Sequence, residues 1–259
     1  MNQLDAIVAS RLRDVRRRKA RLPIEMLRDA AARRPAARDF ARALCSGSPS
    51  IIAEFKRSSP SAGDLGDRDP VATARAYQDG GAAALSILTE PRYFRGGLDD
   101  LVMARNACVL PVLRKDFIVD EYQIWESAEA GADAVLLIVA LLTTEELDLF
   151  RGLAESLGMC AVVEVHDESE IRRALRCGAT VVGINNRDLR TLTVDRSTAL
   201  RLRRMIPPEC LVIAESGYSK ASDIGECARS GIAAVLIGES LMRATDPAAA
   251  VAALRGVPA

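Results

Sequence analysis

Residues 52–61 are IAEFKRSSPS, and this stretch decides between the two folds that the rest of the chain allows. It begins in the first of eight short apolar runs, which alternate with amphipathic stretches of helical spacing, a pattern typical of a parallel sheet. An open, doubly wound sheet would usually carry a glycine fingerprint directly after its first strand, and residues 57–61 contain no glycine. The sequence therefore favours a sheet that closes on itself.

The eight apolar runs predict eight barrel strands. These are Ile51–Lys56, Ala83–Thr89, Val112–Phe117, Ala134–Ala140, Ala161–Val165, Val181–Asn185, Leu211–Glu215 and Ala234–Gly238. Polar or acidic residues near the start of each intervening segment predict helices, among them Pro70–Gln78, Glu121–Glu129, Thr144–Leu157 and Glu168–Arg176. We predict an α/β fold, a (β/α)8 TIM barrel with an N-terminal helical extension. Residues 1–48 form the extension, and residues 49–259 form the barrel catalytic domain.

A faint internal repeat supports closure. The pairs Gly81-Ala82, Gly131-Ala132, Gly178-Ala179 and Gly231-Ile232 each precede an even-numbered strand, so the period is two βα units. Glycine just past a helix suits the left-handed C-cap, which predicts a local structural cause for the repeat.

The N-terminal segment is rich in arginine between residues 11 and 21. A transit peptide or a nucleic-acid-binding arm is one interpretation, but Asp5 and Asp14 interrupt the basic run and no aromatic residue is interleaved. Apolar residues at helical spacing favour an amphipathic helix with a basic face toward solvent, namely Leu4, Ile7, Val8, Leu12 and Val15. The first 48 residues are expected to form extra helices that cover one end of the barrel.

Composition narrows the compartment and the partners. The 259 residues are 49% hydrophobic and carry 35 basic and 35 acidic side chains, so no global field draws the chain to nucleic acid or an anionic membrane. No window approaches the length of about 18 apolar residues that a membrane span needs. The six cysteines are widely spaced without a CxxC pair, which favours a reducing compartment and no structural zinc. We expect a cytoplasmic protein without nucleic-acid or membrane partners.

Charged residues lie within strands that should be apolar on both faces. They are Glu54 and Lys56 in the first strand, Lys115 in the third, Glu164 in the fifth and Glu215 in the seventh. Alternate strands of a closed barrel contribute to the same interior layer, so the five side chains should share one pocket at the C-terminal, catalytic end. The structural alternative is an ion-paired plug that fills the barrel mouth.

Two loops at the same end suit phosphate. The seventh strand continues into AESGYSK and the eighth into LIGESLM, which puts Ser216-Gly217 and Gly238-Glu239 where phosphate commonly binds in such barrels. Small residues let backbone N–H groups approach an anion. Such turns also occur in barrels without a ligand, but the two loops together favour a phosphate site over a plug.

His166 is the single histidine of the chain, which excludes a multi-histidine metal site. It follows Glu164 by two residues, near the end of the fifth strand. We interpret it as a loop residue that faces solvent, with a catalytic role as the alternative.

These segments resemble the indole-3-glycerol phosphate synthase family over essentially the whole chain. The N-terminal LDAIVASRLRDVRRRK resembles the helical extension of that family. The barrel motifs that carry the resemblance are IAEFKRSSPSAG (52–63), LTEPRYFRGG (88–97), LRKDFIVDEYQ (113–123), VVEVHDESE (162–170), GINNRDL (183–189), IAESGYS (213–219) and LIGESLM (236–242). Two positions depart from the family pattern, with Ala62 where lysine is frequent and Gly97 where serine is frequent.

The resemblance implies a carboxy-lyase of tryptophan biosynthesis that needs no metal, nucleotide or redox cofactor. It implies that Lys115 is the general acid, provided that its desolvated ammonium gives up a proton readily, and that Glu164 is the general base. It also implies catalytic roles for Lys56, Glu54, Asn185 and Glu215. The implied substrate-binding residues are Ser59, Pro60, Phe94, Phe117, Arg187, Ser216, Gly217, Leu236, Gly238 and Glu239.

The implied partner is a phosphorylated small molecule, bound by a monomer or weak homodimer. Two rival functions are a phosphoribosyl isomerase of related architecture and a non-catalytic barrel that retains the phosphate loops. The lysines of the first and third strands argue against the isomerase, and the intact Lys56, Lys115 and Glu164 set argues against lost turnover.

Overall fold

The computed structural model describes residues 3–45 and 49–256 and contains a closed parallel barrel. The first strand pairs with both the second and the eighth, with Ile52 opposite Ala84 and Ser50 opposite Ala234. The barrel strands are β1 (Ser50–Phe55), β2 (Ala84–Leu88), β3 (Val112–Lys115), β4 (Ala134–Ile138), β5 (Cys160–Val165), β6 (Val181–Asn185), β7 (Leu211–Glu215) and β8 (Ala234–Ile237). The predicted fold class is confirmed. The division predicted between residues 48 and 49 borders residues 46–48, which lie outside the described part of the chain.

Twelve α-helices and one short 3-10 helix, Val139–Leu141, are present within the described residues. The α-helices are α1 (Gln3–Arg21), α2 (Ile24–Ala31), α3 (Phe40–Ala43), α4 (Pro70–Asp79), α5 (Leu98–Ala107), α6 (Glu121–Glu129), α7 (Thr144–Ser156), α8 (Glu168–Arg176), α9 (Ser197–Arg203), α10 (Ala221–Arg229), α11 (Glu239–Arg243) and α12 (Pro247–Leu254). Several begin where polar side chains accept hydrogen bonds from first-turn N–H groups, as Asp69 does for α4 and Asp167 for α8. Thr143 and Glu146 form a capping box at the start of α7.

Some strands end earlier than predicted. The third ends at Lys115 rather than Phe117, and the first ends at Phe55, directly before Lys56. At the end of β3 the N–H of Phe117 donates to the carboxylate of Asp116 at 2.8 Å. The N–H of Phe117 is thus bonded to a side chain instead of to a carbonyl of the neighbouring strand. Because its hydrogen bond is satisfied outside the sheet, the chain can leave the sheet here and form a loop.

The glycine repeat is confirmed as a set of helix C-caps. Gly81, Gly131, Gly178 and Gly231 have φ values of 84°, 83°, 75° and 71° and follow the ends of α4, α6, α8 and α10. Only glycine adopts this left-handed conformation without a steric penalty, so the repeat arises from chain reversal before each even-numbered strand.

The N-terminal helices contact both ends of the barrel, and the expectation that they cover one end is wrong. Leu4 and Ile7 of α1 line a cavity at the C-terminal ends of the strands. At the other end, the N–H of Arg38 donates to Asp133 at 2.7 Å, directly before β4, and Phe40 of α3 packs into the barrel interior. Two short helices after α1 carry the chain from the catalytic end to the base.

The basic face of α1 is only partly exposed to solvent, which corrects the predicted orientation of that helix. Arg11 is 1% exposed, whereas Leu12, expected to be buried, is 37% exposed. Arg18 contacts Glu126 at 3.0 Å and Lys19 contacts Asp120 at 2.7 Å. These acidic partners belong to the β3–α6 region, so charge complementarity docks α1 against the barrel.

Candidate active site

One layer of charged side chains lies at the C-terminal end of the barrel interior. Glu54, Lys115, Glu164 and Glu215 lie on β1, β3, β5 and β7. Because side chains of a strand alternate between its faces, the residue two positions earlier points the same way. Those residues are Ile52, Leu113, Val162 and Ile213, which all belong to the apolar interior cluster. The charged layer is therefore stacked directly on an apolar layer.

Lys115 lies between two carboxylates. Its Nζ donates to Oε2 of Glu164 at 2.8 Å and to Oε2 of Glu215 at 2.5 Å. The glutamate side chains are 1% and 2% exposed, and that of Lys115 is 13% exposed. A Cβ at Gly183 would collide with Oε1 of Glu215, so the glycine of β6 makes room for this carboxylate. The lysine is thus the part of this triad that solvent reaches.

The triad shifts the pKa of each of its members. Burial lowers the pKa of Lys115, but the charges of Glu164, Glu215 and Glu54 together raise it. Burial raises the pKa of Glu164, yet Lys115 and His166 lower it overall. Burial raises the pKa of Glu215, and the charge of Glu164 adds to that rise although Lys115 opposes it. In the resting site, these carboxylates therefore favour the protonated form of Lys115, in the direction opposite to the expectation that it gives up its proton readily.

A second ion pair lies beside this triad. Nζ of Lys56 donates to Oε1 of Glu54 at 2.5 Å. A Cβ at Gly238 would collide with that same Oε1 and come within 3.0 Å of Lys56 Nζ. The backbone of the loop after β8 therefore lies so close to the Glu54–Lys56 pair that only glycine fits at position 238 without displacing it.

All sixteen predicted site residues line one cavity of about 500 Å³. They are Glu54, Lys56, Ser59, Pro60, Phe94, Lys115, Phe117, Glu164, Asn185, Arg187, Glu215, Ser216, Gly217, Leu236, Gly238 and Glu239. The rings of Phe94 and Phe117 have centroids 6.0 Å apart and form one aromatic wall. The cavity therefore has a charged floor and an apolar side, and an ion-paired plug does not fill it.

The sequence interpretation missed several lining residues. Leu4 and Ile7 of α1 extend the apolar side, together with Leu136 and Ile138 of β4. The helical spacing of Leu4 and Ile7 indicated a buried face but carried no information on which surface it covers. Asp116 also lines the cavity. Its position next to Lys115, as a charged residue within the predicted third strand, was a sequence signal for it.

The two small-residue loops lie at one side of the cavity. Ser216 and Gly217 have φ values of 67° and 88°, so both adopt the left-handed region in the loop after β7. Glu239, the first residue of α11 after the β8 loop, contacts Arg243 at 3.2 Å, and both side chains are about half exposed. Arg243 also donates to the carbonyl of Ala62 at 3.3 Å. Arg243 therefore contacts the loop at position 62, where lysine is frequent in the family.

His166 does not face solvent, which corrects its interpretation as an exposed loop residue. Its side chain is 16% exposed, with Nε2 3.4 Å from Oε1 of Glu164 and Nδ1 3.1 Å from Oε2 of Glu170. The sequence placed it near the strand end correctly, but the packing of α8 against β5 turns it inward.

Within residues 3–45 and 49–256, no three His, Cys, Asp or Glu side chains are grouped so that they could hold a metal ion. Among the same residues, no helix is long and apolar enough to cross a membrane.

The family model described as indole-3-glycerol phosphate synthase matches residues 4–254. A protein of that name from Mycolicibacterium vanbaalenii is 47% identical over 97% of this chain and 93% of its own length. Another from a Polaromonas species is 43% identical over 98% of both chains.

Solved structures share the barrel at much lower identity. The crystal structure of KGPDC from Streptococcus mutans superposes with a TM-score of 0.64 and 14% identity, covering 80% of this chain and 96% of that one. This likeness concerns the fold alone.

Proposed function

The chain belongs to the indole-3-glycerol phosphate synthase family, whose members are carboxy-lyases of tryptophan biosynthesis, and from this premise we propose how its residues carry out the reaction. The substrate is 1-(2-carboxyphenylamino)-1-deoxyribulose 5-phosphate. Ring closure with loss of carbon dioxide and water gives indole-3-glycerol phosphate. The observation that carries the assignment of roles is the Lys115 ammonium, held by Glu164 and Glu215 at the floor of the cavity.

Lys115 donates the proton for ring closure. The ring carbon that bears the carboxylate attacks the ketone carbon, and the ketone oxygen takes a proton from Nζ of Lys115. Because its neighbours raise the pKa of Lys115, the ammonium is present at neutral pH. Transfer occurs as the ketone oxygen becomes an alkoxide, which is a stronger base than the amine. Carbon dioxide then leaves, and its bonding electrons restore the aromatic ring.

Glu164 accepts the proton that leaves the ring carbon next to nitrogen when water is lost, while the departing hydroxyl takes up a proton from solvent. The pKa of Glu164 is lowered, so it is ionised before the substrate binds. Once Lys115 has transferred its proton, the neutral amine no longer holds Oε2 of Glu164, and that oxygen becomes free to act as a base. Return of the proton from Glu164 to the neighbouring amine of Lys115, 2.8 Å away, restores the resting site. Glu215 keeps Lys115 oriented from the opposite side, and the amide of Asn185 lies on the neighbouring strand β6 at the cavity wall.

Lys56 neutralises the substrate carboxylate, while Glu54 orients the lysine. The aromatic ring of the substrate lies against Phe94 and Phe117, with Ser59 and Pro60 closing the β1 loop above it. Arg187 and Leu236 complete the wall.

The phosphate binds to the loops after β7 and β8. The left-handed conformation at Ser216 and Gly217 turns the β7 loop sharply beside the cavity, and Gly238 and Glu239 line the same side. Anchoring the remote end lets binding energy hold the flexible chain in the folded conformer that ring closure needs.

Replacing Gly238 with alanine should reduce kcat by about 10²-fold with a smaller effect on stability. The methyl group would displace the Glu54 carboxylate and, with it, the ammonium of Lys56. Steady-state kinetics measures the effect, and Gly152→Ala in α7 is the control because a Cβ there meets nothing within 4 Å. A Gly238→Ala enzyme with unchanged kcat would contradict the proposed role of this ion pair.

The remaining assignments follow from composition and family. Equal numbers of basic and acidic side chains support an enzyme that binds no nucleic acid or membrane. The six widely spaced cysteines, without a CxxC pair, support a reducing, cytoplasmic location. The partner is the phosphorylated substrate, and the enzyme acts as a monomer or weak homodimer. Residues 1–48 are the helical extension, and residues 49–259 are the barrel domain.

Turnover of the carboxyphenylamino substrate, followed by indole fluorescence, tests this function directly. We expect product formation that survives exhaustive chelation and dialysis, because no step above requires a metal, nucleotide or redox cofactor. Binding without turnover would support the non-catalytic barrel, and turnover of an aminoaldose phosphate alone would support the isomerase. Activity that returns only after addition of a divalent ion would contradict the cofactor-free assignment.

A further inference from the structure

His166 occupies the space between a catalytic carboxylate and a second carboxylate on the next helix. Oε2 of Glu170 accepts from the backbone N–H of His166 at 2.7 Å and lies 3.1 Å from its Nδ1. On the other side of the ring, Nε2 is 3.4 Å from Oε1 of Glu164. Both of these last two atoms are buried, and neither has a hydrogen-bond partner among the described residues.

The geometry distinguishes the two charge states of the imidazole. A neutral imidazole carries a proton on only one of its two ring nitrogens. Whichever nitrogen carries it, the lone pair of the other would point at a carboxylate, that of Glu164 or that of Glu170. An imidazolium has N–H groups on both sides and satisfies both carboxylates with a small movement of the ring.

The other charged groups around His166 are also mostly acidic. Asp167 caps the start of α8, Asp188 lies in the loop after β6, and Glu215 lies on β7. His166 also borders a second cavity of about 290 Å³. Asp195 lines that cavity too, and Arg190 is the cation among the described residues that line it. Burial lowers the pKa of His166, but the hydrogen bond to Glu170 and the charges of Glu164, Glu170 and Glu215 raise it overall.

We propose that His166, as an imidazolium bridging Glu170 and Oε1 of Glu164, is a positioning residue that holds the catalytic base ionised and oriented. The proposal rests on the assignment of Glu164 as that base. The two oxygens of Glu164 then have different roles. Oε2 faces Lys115 and the cavity, while Oε1 contacts His166 on the side away from Lys115.

This arrangement matters most in the middle of the reaction. When Lys115 gives its proton to the ketone oxygen, Glu164 loses the positive charge that stabilises its ionised form. His166 does not transfer a proton in that step and remains as the cation beside Glu164. The carboxylate therefore stays ionised until it takes up the proton released during dehydration.

The charge state of His166 can be measured without any assay of activity. The chain has one histidine, so the imidazole signals in an NMR pH titration of a tag-free sample have a single source. We expect a pKa above the ordinary value of about 6.5, and a lower pKa in both Glu164→Gln and Glu170→Gln. Titration at the ordinary value with no response to Glu164→Gln would overturn the proposal, whatever the enzyme's activity.

Kinetics tests the positioning role itself. His166→Leu should lower kcat about tenfold, well below the roughly 10²–10⁴-fold worth of a general base, and leave KM almost unchanged. Loss of the cation raises the pKa of Glu164, so the acid limb of the kcat profile should move to higher pH. His166→Gln should recover most of the lost rate, because an amide N–H can donate to Oε1.

The outcomes of these experiments separate this proposal from the proposed function. A His166→Leu enzyme with unchanged kcat and an unmoved acid limb would overturn the positioning role, while Glu164→Gln could still abolish turnover. Conversely, full activity in Glu164→Gln would overturn the role of Glu164, and His166 could still titrate as an imidazolium. Circular dichroism of each variant checks that it is folded.

Discussion

Lys115→Met should reduce carbon dioxide release and indole formation together, by roughly 10²–10⁴-fold. Decarboxylation follows attack on the ketone, whose oxygen takes up a proton from Lys115. Removal of this acid therefore blocks carbon dioxide release and indole formation at the same step. Methionine keeps most of the side-chain volume and removes the ammonium that Glu164 and Glu215 share. The variant should still bind the phosphorylated substrate, because the β7 and β8 loops and the aromatic wall are unchanged.

The two signals should be followed in parallel under single-turnover conditions. Lys19→Met is the matched control, because Lys19 lies on α1 outside the cavity and forms an exposed pair with Asp120. Near-normal rates of both signals in Lys115→Met would contradict its assignment as the acid.

Glu164→Gln provides the contrast within the same experiment. If Glu164 acts mainly in dehydration, this variant should still release some carbon dioxide while indole formation slows more strongly. Equal losses of both signals would refute the proposed order of roles.

The largest effect on stability is expected at Asp116, next to the catalytic lysine. Its Oδ2 accepts from Arg11 at 2.8 Å, from Arg114 at 2.9 Å and from the hydroxyl of Thr89 at 2.6 Å. The side chains of Arg11 and Arg114 are 1% and 0% exposed. One buried carboxylate thus compensates two buried guanidinium groups and ties α1 to the end of β3.

Asp116→Asn should lower the free energy of unfolding by about 3–5 kcal/mol, because it removes the anion nearest to two buried cations and leaves them only the more distant carboxylates of Asp14 and Glu126. Asp120→Asn is the matched control, since it changes an exposed pair between the same two regions and should cost no more than about 1 kcal/mol. Urea unfolding measures both values. Similar values for the two variants would show that the buried network does not stabilise the fold.

The difference in unfolding free energy between wild type and Asp116→Asn should depend on pH, with a sign set by the pKa shift of Asp116. Burial raises the pKa of Asp116, but Arg11 and Arg114 lower it below the ordinary value of 3.8. A carboxyl whose pKa is lower in the folded state contributes stability above its unfolded pKa and loses it as pH falls through the folded pKa. The gap between wild type and Asp116→Asn should therefore narrow as pH falls below about 4. A gap that widens in acid would contradict this account.

Much of the fold and of the cavity lining was predictable from local sequence patterns. Strand alternation, helix caps and the glycine before β2 depend on residues close together in the chain, where steric and hydrogen-bond preferences act directly. Buried charges were also informative, because Lys115 or Glu164 within a strand has no low-energy position except at an interior site with a partner. Barrel symmetry then brings alternate strands to one layer, so these residues could be grouped without coordinates.

The sequence by itself determined the barrel and which strands supply the charged layer, whereas the tertiary structure alone decided what surrounds that layer. Periodicity predicted a helix at α1. It could not predict that Arg11 is buried, because its partner Asp116 lies 105 residues away in the chain. Likewise, His166 faces Glu164 because the start of α8 turns back over β5, and the N-terminal helices reach both ends of the barrel. Such pairings are set by how finished elements pack together. A local pattern specifies the face that an element buries, but the partner against that face is chosen by the free energy of the whole fold.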